Sequence, residues 1–168
     1  MYEILKNRRS IRKYKPQQVS DEVLDQILEV GLYTPSGMNT QNTVMVAVRD
    51  KETRDLLSKI NAEIMEVETD PFYGAPCVIV VLADPDMPTW IDDGSLVLGN
   101  MLNAAHALGL GSCWVNRARQ TFDRPEGKAL LEKGGLPERY RGGGNCILGY
   151  ADEEPALKDP LEGRIIKV

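Results

Sequence analysis

The sequence predicts a layered α/β or α+β domain, on three observations. Segments rich in β-branched residues alternate with helical ones, and neither class forms a long run. One segment, Cys77-Val78-Ile79-Val80-Val81-Leu82-Ala83, is apolar at every position, so both of its alternating faces need cover. The 168 residues, 42% hydrophobic and 27% charged, suit one core, which commonly serves about 100 to 200 residues. We expect a single domain over residues 1–168, with a doubly wound sheet as the generic architecture.

Residues 2–7 suit a short helix and residues 8–16 a basic turn or extended segment, closed by Pro16 because proline disfavours helix at the preceding residue. The next helix is clearer. Ser20 is its N-cap, Asp21 and Glu22 sit where the helix dipole favours acids, and Val23, Leu24, Ile27 and Leu28 form one apolar stripe that should stop between Gly31 and Pro35. Residues 43–49 and 77–83 read as strands, the second central, with a charged-faced helix over 51–68 between them.

Residues 91–108 carry the strongest helical signal, with Leu98, Met101, Leu102 and Ala105 on one face and Gly109 at C′. Gly94, Gly99, Ala104, Ala105 and Ala107 leave so little side chain that we expect this helix to be buried nearly all round, against the sheet and a partner. Residues 111–115 form a strand, 125–133 a helix and 145–150 a last strand. The tail after Pro155 lacks periodicity and is expected to need something outside the domain to pack against.

The net charge of −5 argues against non-specific nucleic-acid binding, which needs a basic surface. Yet Lys6, Arg8, Arg9, Arg12, Lys13 and Lys15 crowd the start with only Glu3 opposing them, so a local anion site within an acidic protein is one reading and a solvated basic face another. Cys77, Cys113 and Cys146 are odd in number, far apart and set among apolar residues, as expected of reduced core thiols in a cytoplasmic protein. Neither a secretory signal nor a membrane span is expected.

The usual catalytic equipment is sparse. His106, the only histidine, falls within the small-residue helix and suits a core or interface role, and zinc sites of the usual His and Cys spacing cannot be built. Gly127-Lys128 is followed by Ala129, so it is no Walker motif, and Gly142-Gly143-Gly144 neither follows a clear strand nor opens a clear helix. Asp92-Asp93-Gly94 lacks the other ligands of a calcium loop and is more simply a helix start.

Two polar clusters remain. In an extended segment Arg8, Ser10 and Arg12 point one way and Arg9 the other, so one phosphate could meet guanidinium forks and a hydroxyl on one face. The second cluster, Pro35-Ser36-Gly37-Met38-Asn39-Thr40-Gln41-Asn42, joins a rigid turn and a glycine to several amides and hydroxyls that could read the edge of a polar heterocycle; an ordinary loop is the bland alternative.

With a third segment, Gly109-Leu110-Gly111-Ser112-Cys113-Trp114 after the small-residue helix, and the later Gly149-Tyr150, this ordered set resembles the nitroreductase family over nearly the whole chain. The resemblance implies an α+β fold, a mostly antiparallel sheet wrapped by helices, in an intertwined homodimer with two FMN sites at the interface. It implies that Arg8, Arg9, Ser10 and Arg12 bind FMN, that Pro35, Ser36, Gly37, Asn39 and Gln41 come from the other subunit, and that Trp114, Val115, Asn116 and Arg117 run along the flavin ring. The chemistry would then reside on FMN, without a catalytic residue of the protein's own: NAD(P)H delivers hydride, and a small electron-poor acceptor, such as a nitroaromatic or quinone, takes it in a ping-pong cycle. A dehalogenating or flavin-modifying relative and a flavin-binding redox module are the alternatives. The family's tail commonly offers Lys-x-Arg to the phosphate; here Lys158 is followed by Asp159 and Pro160, and Arg164 is the next arginine.

Overall fold

The computed structural model describes residues 1–168. In chain order its elements are α1 (Tyr2–Asn7), α2 (Asp21–Leu32), β1 (Thr43–Val48), α3 (Lys51–Met65), β2 (Cys77–Ala83), α4 (Trp90–Ala107), β3 (Gly111–Val115), α5 (Ala118–Asp123), α6 (Pro125–Lys133) and β4 (Arg141–Gly149), with a 3-10 turn at Gly37–Asn39 before β1.

Local chemistry sets the boundaries. The Ser20 hydroxyl accepts the Val23 N–H at the start of α2. The Asp50 carboxylate accepts from the N–H groups of Thr53 and Glu52, bonds that open α3 and hold its carboxyl below the ordinary value. Helix α3 ends at the left-handed Glu66 (φ 57°), short of the expected residue 68, and Gly109 (φ 78°) follows α4 as the C′ position anticipates.

The sheet runs β1-β2-β4-β3 with every neighbouring pair antiparallel, as the family resemblance implies and against the generic doubly wound expectation. A strand–helix–strand alternation does not say at which end of the sheet the chain re-enters. Here residues 66–76 bring it back beside the first turn of α3, where the Arg54 guanidinium donates to the Ala75 carbonyl (3.1 Å) and pairs with Asp70. Asp70 also accepts from the N–H groups of Phe72 (2.8 Å) and Gly74 (2.7 Å) and from the Ser58 hydroxyl. Burial opposes its ionisation, but these donors outweigh burial and keep its carboxyl below the ordinary value.

Strand β2 is buried at all seven positions, as its composition requires. Cys77, Ile79 and Val81 face a core layer with α2 and α4, built around Ile27, Leu98 and Met101; Val78, Val80 and Leu82 face a second layer with Leu57, Phe72, Phe122 and Leu131. All three cysteines are free and buried, and burial pushes the Cys77 thiol up to about 11.

Strand β4 begins four residues before the expected 145, so the glycine triplet lies inside it. Gly143 is the extra residue of a bulge, since Val81 pairs with Gly144 and Leu82 with Gly142. Gly142 and Gly144 mark approaches too close for a side chain, whereas Gly143 has room for ordinary contact. A Cβ on Gly142 would lie 2.3 Å from the carbonyl carbon of Ala118 in α5, one on Gly143 would lie 3.6 Å from Gly94 Cα in α4, and one on Gly144 would lie 2.6 Å from both Leu98 and the Trp114 indole. Helix α5 escapes the sequence pattern because Ala118 and Phe122 are its only buried apolar residues.

Helix α4 packs Val97, Leu98, Met101 and Ala105 against the sheet but leaves Ile91 and Leu96 about half exposed and Gly99 in open space. The expectation of burial nearly all round therefore fails within one copy; the small residues do not all fall on the sheet-facing side. Beyond Pro155 the chain has no regular structure and is exposed. No helix is long and apolar enough to cross a membrane.

Two outcomes follow from this packing. Gly142→Ala should cost about 2–3 kcal/mol in urea unfolding, because backbone cannot yield to the new methyl, whereas Gly99→Ala should be neutral or stabilising by up to about 1 kcal/mol. Because Asp70's folded value lies below its unfolded one near 3.8, its contribution is complete above that pH and is lost as pH falls through the folded value; Asp70→Asn should remove this part of the acid limb in a stability-versus-pH series.

Candidate functional site

The basic cluster is held on the outer side of β3. Arg8 caps α1, Ser10 bridges Ser112, and the Ile11 N–H donates to the Ser112 carbonyl (3.0 Å). Ile11 lies where a side chain on Gly111 would be, with only 2.9 Å to spare for a Cβ. The Tyr14 hydroxyl, pushed strongly upward by burial, donates to the Ile11 carbonyl (2.6 Å) and closes the segment from below.

Within this segment the arginines behave differently. Arg8 Nη1 and Arg9 Nε are buried and meet no acceptor in the protomer, which is costly for cationic donors and leaves them available for an anion. Arg12 is exposed, its guanidinium reaching the Ser10 carbonyl at 3.5 Å, while its N–H donates to Glu153. Arg9 lines a cavity of about 400 Å³ with Asn7, His106, Leu110, Glu153 and Glu154. Half-buried His106 thus sits at a cavity wall rather than in the core.

The second cluster is anchored at the other end of α4. The Gly37 N–H donates to Asp93 (2.8 Å), whose second oxygen accepts the Thr89 hydroxyl (2.8 Å). Ser36 accepts the Gln41 N–H (2.9 Å), and Pro35, Ser36 and Gln41 line a small cavity with Asp93. Met38, Asn39 and Gln41 all have positive φ (52°, 55° and 49°), a conformation that costs roughly 1–2 kcal/mol per residue bearing a Cβ. Asp93 and His106 are thirteen residues apart on one helix, so the ends of α4 that carry the two clusters are separated by about 20 Å. One copy does not bring the clusters together.

The third segment runs off the end of β3. Trp114 is 50% exposed and lies over Gly144 beside Leu98. Val115 is buried, and Asn116 turns the chain by accepting the Arg117 N–H (2.7 Å), with Arg117 left-handed at φ 75°. Two buried amides hold this turn: Asn145 of β4 donates to the carbonyls of Val115 (3.2 Å) and Asn116 (3.3 Å), and Asn61 of α3 donates to Asn116 (2.9 Å). Arg164 lies on the exposed tail without an ion pair.

Asn61, Asn145 and Glu153 are absent from the residues singled out in the sequence, and Asp93 was read there only as part of a helix start. Asp93 carried a legible signal, an acid on the stripe that continues through Val97, Met101 and Ala105. Asn61 and Asn145 carried none, because their meeting point depends on how α3 crosses the sheet.

Comparison with known proteins fits this geometry. A model of the Nitroreductase family matches residues 5–72. An Archaeoglobus fulgidus protein with the provisional name NADH dehydrogenase/NAD(P)H nitroreductase is 36% identical over 88% of this chain and 83% of its own length. FMN reductase [NAD(P)H] of Bacillus subtilis is 27% identical over 96% of this chain and 71% of its own. The crystal structure of a Bacteroides fragilis nitroreductase with bound FMN superposes with a TM-score of 0.89 at 33% identity, covering 99% of this chain and 97% of that one.

Asn145→Leu should leave the Val115 carbonyl without its side-chain donor and the Asn116 carbonyl with that of Asn61 alone, lowering stability by about 1–3 kcal/mol in denaturant unfolding and loosening the Trp114 turn, read as a shift in tryptophan emission.

Proposed function

Because the chain belongs to the nitroreductase family, we propose that it is an FMN-dependent oxidoreductase acting as a homodimer of 168-residue single-domain units. FMN, when bound, supplies the chemistry that passes hydride from NAD(P)H to a small electron-poor acceptor, a nitroaromatic, quinone or similar molecule, in a ping-pong cycle.

The observation that carries the reading is the pair of buried, unpartnered guanidinium nitrogens on Arg8 and Arg9, the donor type that a phosphate monoester requires. Arg8, Arg9, Ser10 and Arg12 hold the phosphate and ribityl end. Trp114, Val115, Asn116 and Arg117 border the ring, with the Asn61 and Asn145 amides keeping that border in place. Pro35, Ser36, Gly37, Asn39 and Gln41 reach the same site from a second copy, since the ends of α4 that carry the two clusters lie about 20 Å apart within one chain. Arg164 is brought to the phosphate only by the dimer.

Exposed apolar surface supports the dimer. Ile91 and Leu96 on α4, Tyr2 and Leu5 on α1, and Leu161 and Ile166 on the tail are left open by the protomer. Three buried, unpaired thiols suit a reducing cytoplasm. The acceptor differs between enzymes built on such a site, and the residues named here bind and orient rather than donate protons.

A visible absorption spectrum of the purified protein, before and after anaerobic NADH and then NADPH, tests the reading. Flavin bands that bleach support it; bands that persist indicate a flavin-binding module without turnover, and no bands after added FMN overturn the cofactor. Arg8→Ala should weaken FMN binding by about tenfold or more and exposed Arg12→Ala by less, measured by quenching of flavin fluorescence. Removing residues 156–168 should shift the protein from dimer to monomer in sedimentation; an unchanged dimer would remove the tail from the interface.

A further inference from the structure

We propose that Asp93 is a positioning residue that presets the loop of residues 35–41 for the flavin, an inference that rests on the cofactor reading above. Asp93 is 2% exposed and sits in the first turn of α4, where the helix dipole favours a carboxylate. Each oxygen has one partner, the Gly37 N–H on Oδ1 and the Thr89 hydroxyl on Oδ2, both at 2.8 Å.

The remaining hydrogen bonds of the loop are internal. Asn39 and Thr40 N–H groups donate to the carbonyls of Ser36 and Gly37, the Thr40 hydroxyl donates to Gly37, and Gln41 N–H donates to Ser36. The bond to Asp93 is thus the loop's one hydrogen-bonded tie to the rest of the chain, across a stretch in which Met38, Asn39, Thr40 and Gln41 are exposed.

Three left-handed residues with side chains, at Met38, Asn39 and Gln41, persist only where the surroundings over-determine them. The tie at Gly37 does so from one end. Gly37 must be glycine, because a Cβ there would lie 2.3 Å from the Thr89 Oγ1 that completes the Asp93 contact. A carboxylate, a hydroxyl and a missing side chain therefore fix the backbone entering the strained stretch. Its polar groups are held in one presentation before any ligand arrives, which lowers the ordering cost of binding. Because α4 also carries the exposed Ile91 and Leu96, the loop is tied to the same helix that faces the second copy.

The test compares wild type, Asp93→Ala and Asp93→Asn by amide hydrogen exchange of residues 37–41 in flavin-free dimer and by the FMN dissociation constant. In Asp93→Ala, exchange should accelerate and the FMN dissociation constant should rise, each by about tenfold. Asp93→Asn should restore both to within about threefold, since its carbonyl can accept from Gly37 while the Thr89 hydroxyl turns to accept from the amide. Unchanged exchange in Asp93→Ala overturns the anchoring; faster exchange with unaltered FMN affinity overturns the positioning role. If Asp93→Ala does not fold, Thr89→Val, which removes only the donor to Oδ2, carries the same two readouts and should move both in the same direction, less far. Wild-type protein that takes up no FMN is seen before any variant is made and overturns the cofactor reading itself, whereas the exchange result still decides the anchoring.

Discussion

The close approach of α4 to the sheet is the constraint on which the rest of the molecule depends. Gly94 and Gly143 let helix and strand meet with almost no side chain between them, and the bulge at Gly143 turns two successive glycines of β4 toward the helix. A helix seated this deeply buries Val97, Leu98, Met101 and Ala105 against β2 and β4. Its other side remains open, and each of its ends carries one of the polar clusters. The glycines of β4 thus set the height at which α4 and the Trp114 indole stand over the sheet.

Polar groups buried at the margins of this packing divide into two kinds. Asp70, Asp93, Asn145 and Tyr14 have their partners within the chain and hold backbone in place: the return loop before β2, the loop before β1, the end of β3 and the basic segment. Arg8 and Arg9 retain donors without partners. A buried cationic donor that the protomer leaves unsatisfied is costly unless something else supplies the acceptor, and these two lie side by side in the basic segment. A protein with a net charge of −5 can still offer an anion site, since a few clustered guanidinium groups, two of them half-buried, outweigh a distant acidic surface.

The sequence by itself determined most of the elements and their cover. The alternation of the two residue classes, the N-cap at Ser20, the wholly apolar Cys77–Ala83 and the periodicity of α4 depend on neighbours a few residues away, and such signals are written locally. The ordered motifs from Arg8 to Trp114 were legible for the same reason. Tertiary structure decided what depends on where distant segments meet. Antiparallel pairing of β1 with β2 follows from the Asp70 knot that returns the chain to its starting edge, and the reach of β4 through Gly142-Gly143-Gly144 follows from helices that occupy the missing side-chain space. The same holds for Asn61 and Asn145, whose amides converge on one carbonyl only after α3 and β4 are packed. Spacing along the chain records which groups are present; only packing across the sheet decides which of them share a partner, because hydrogen bonds act over about 3 Å and the sequence carries no distance between segments that far apart in the chain.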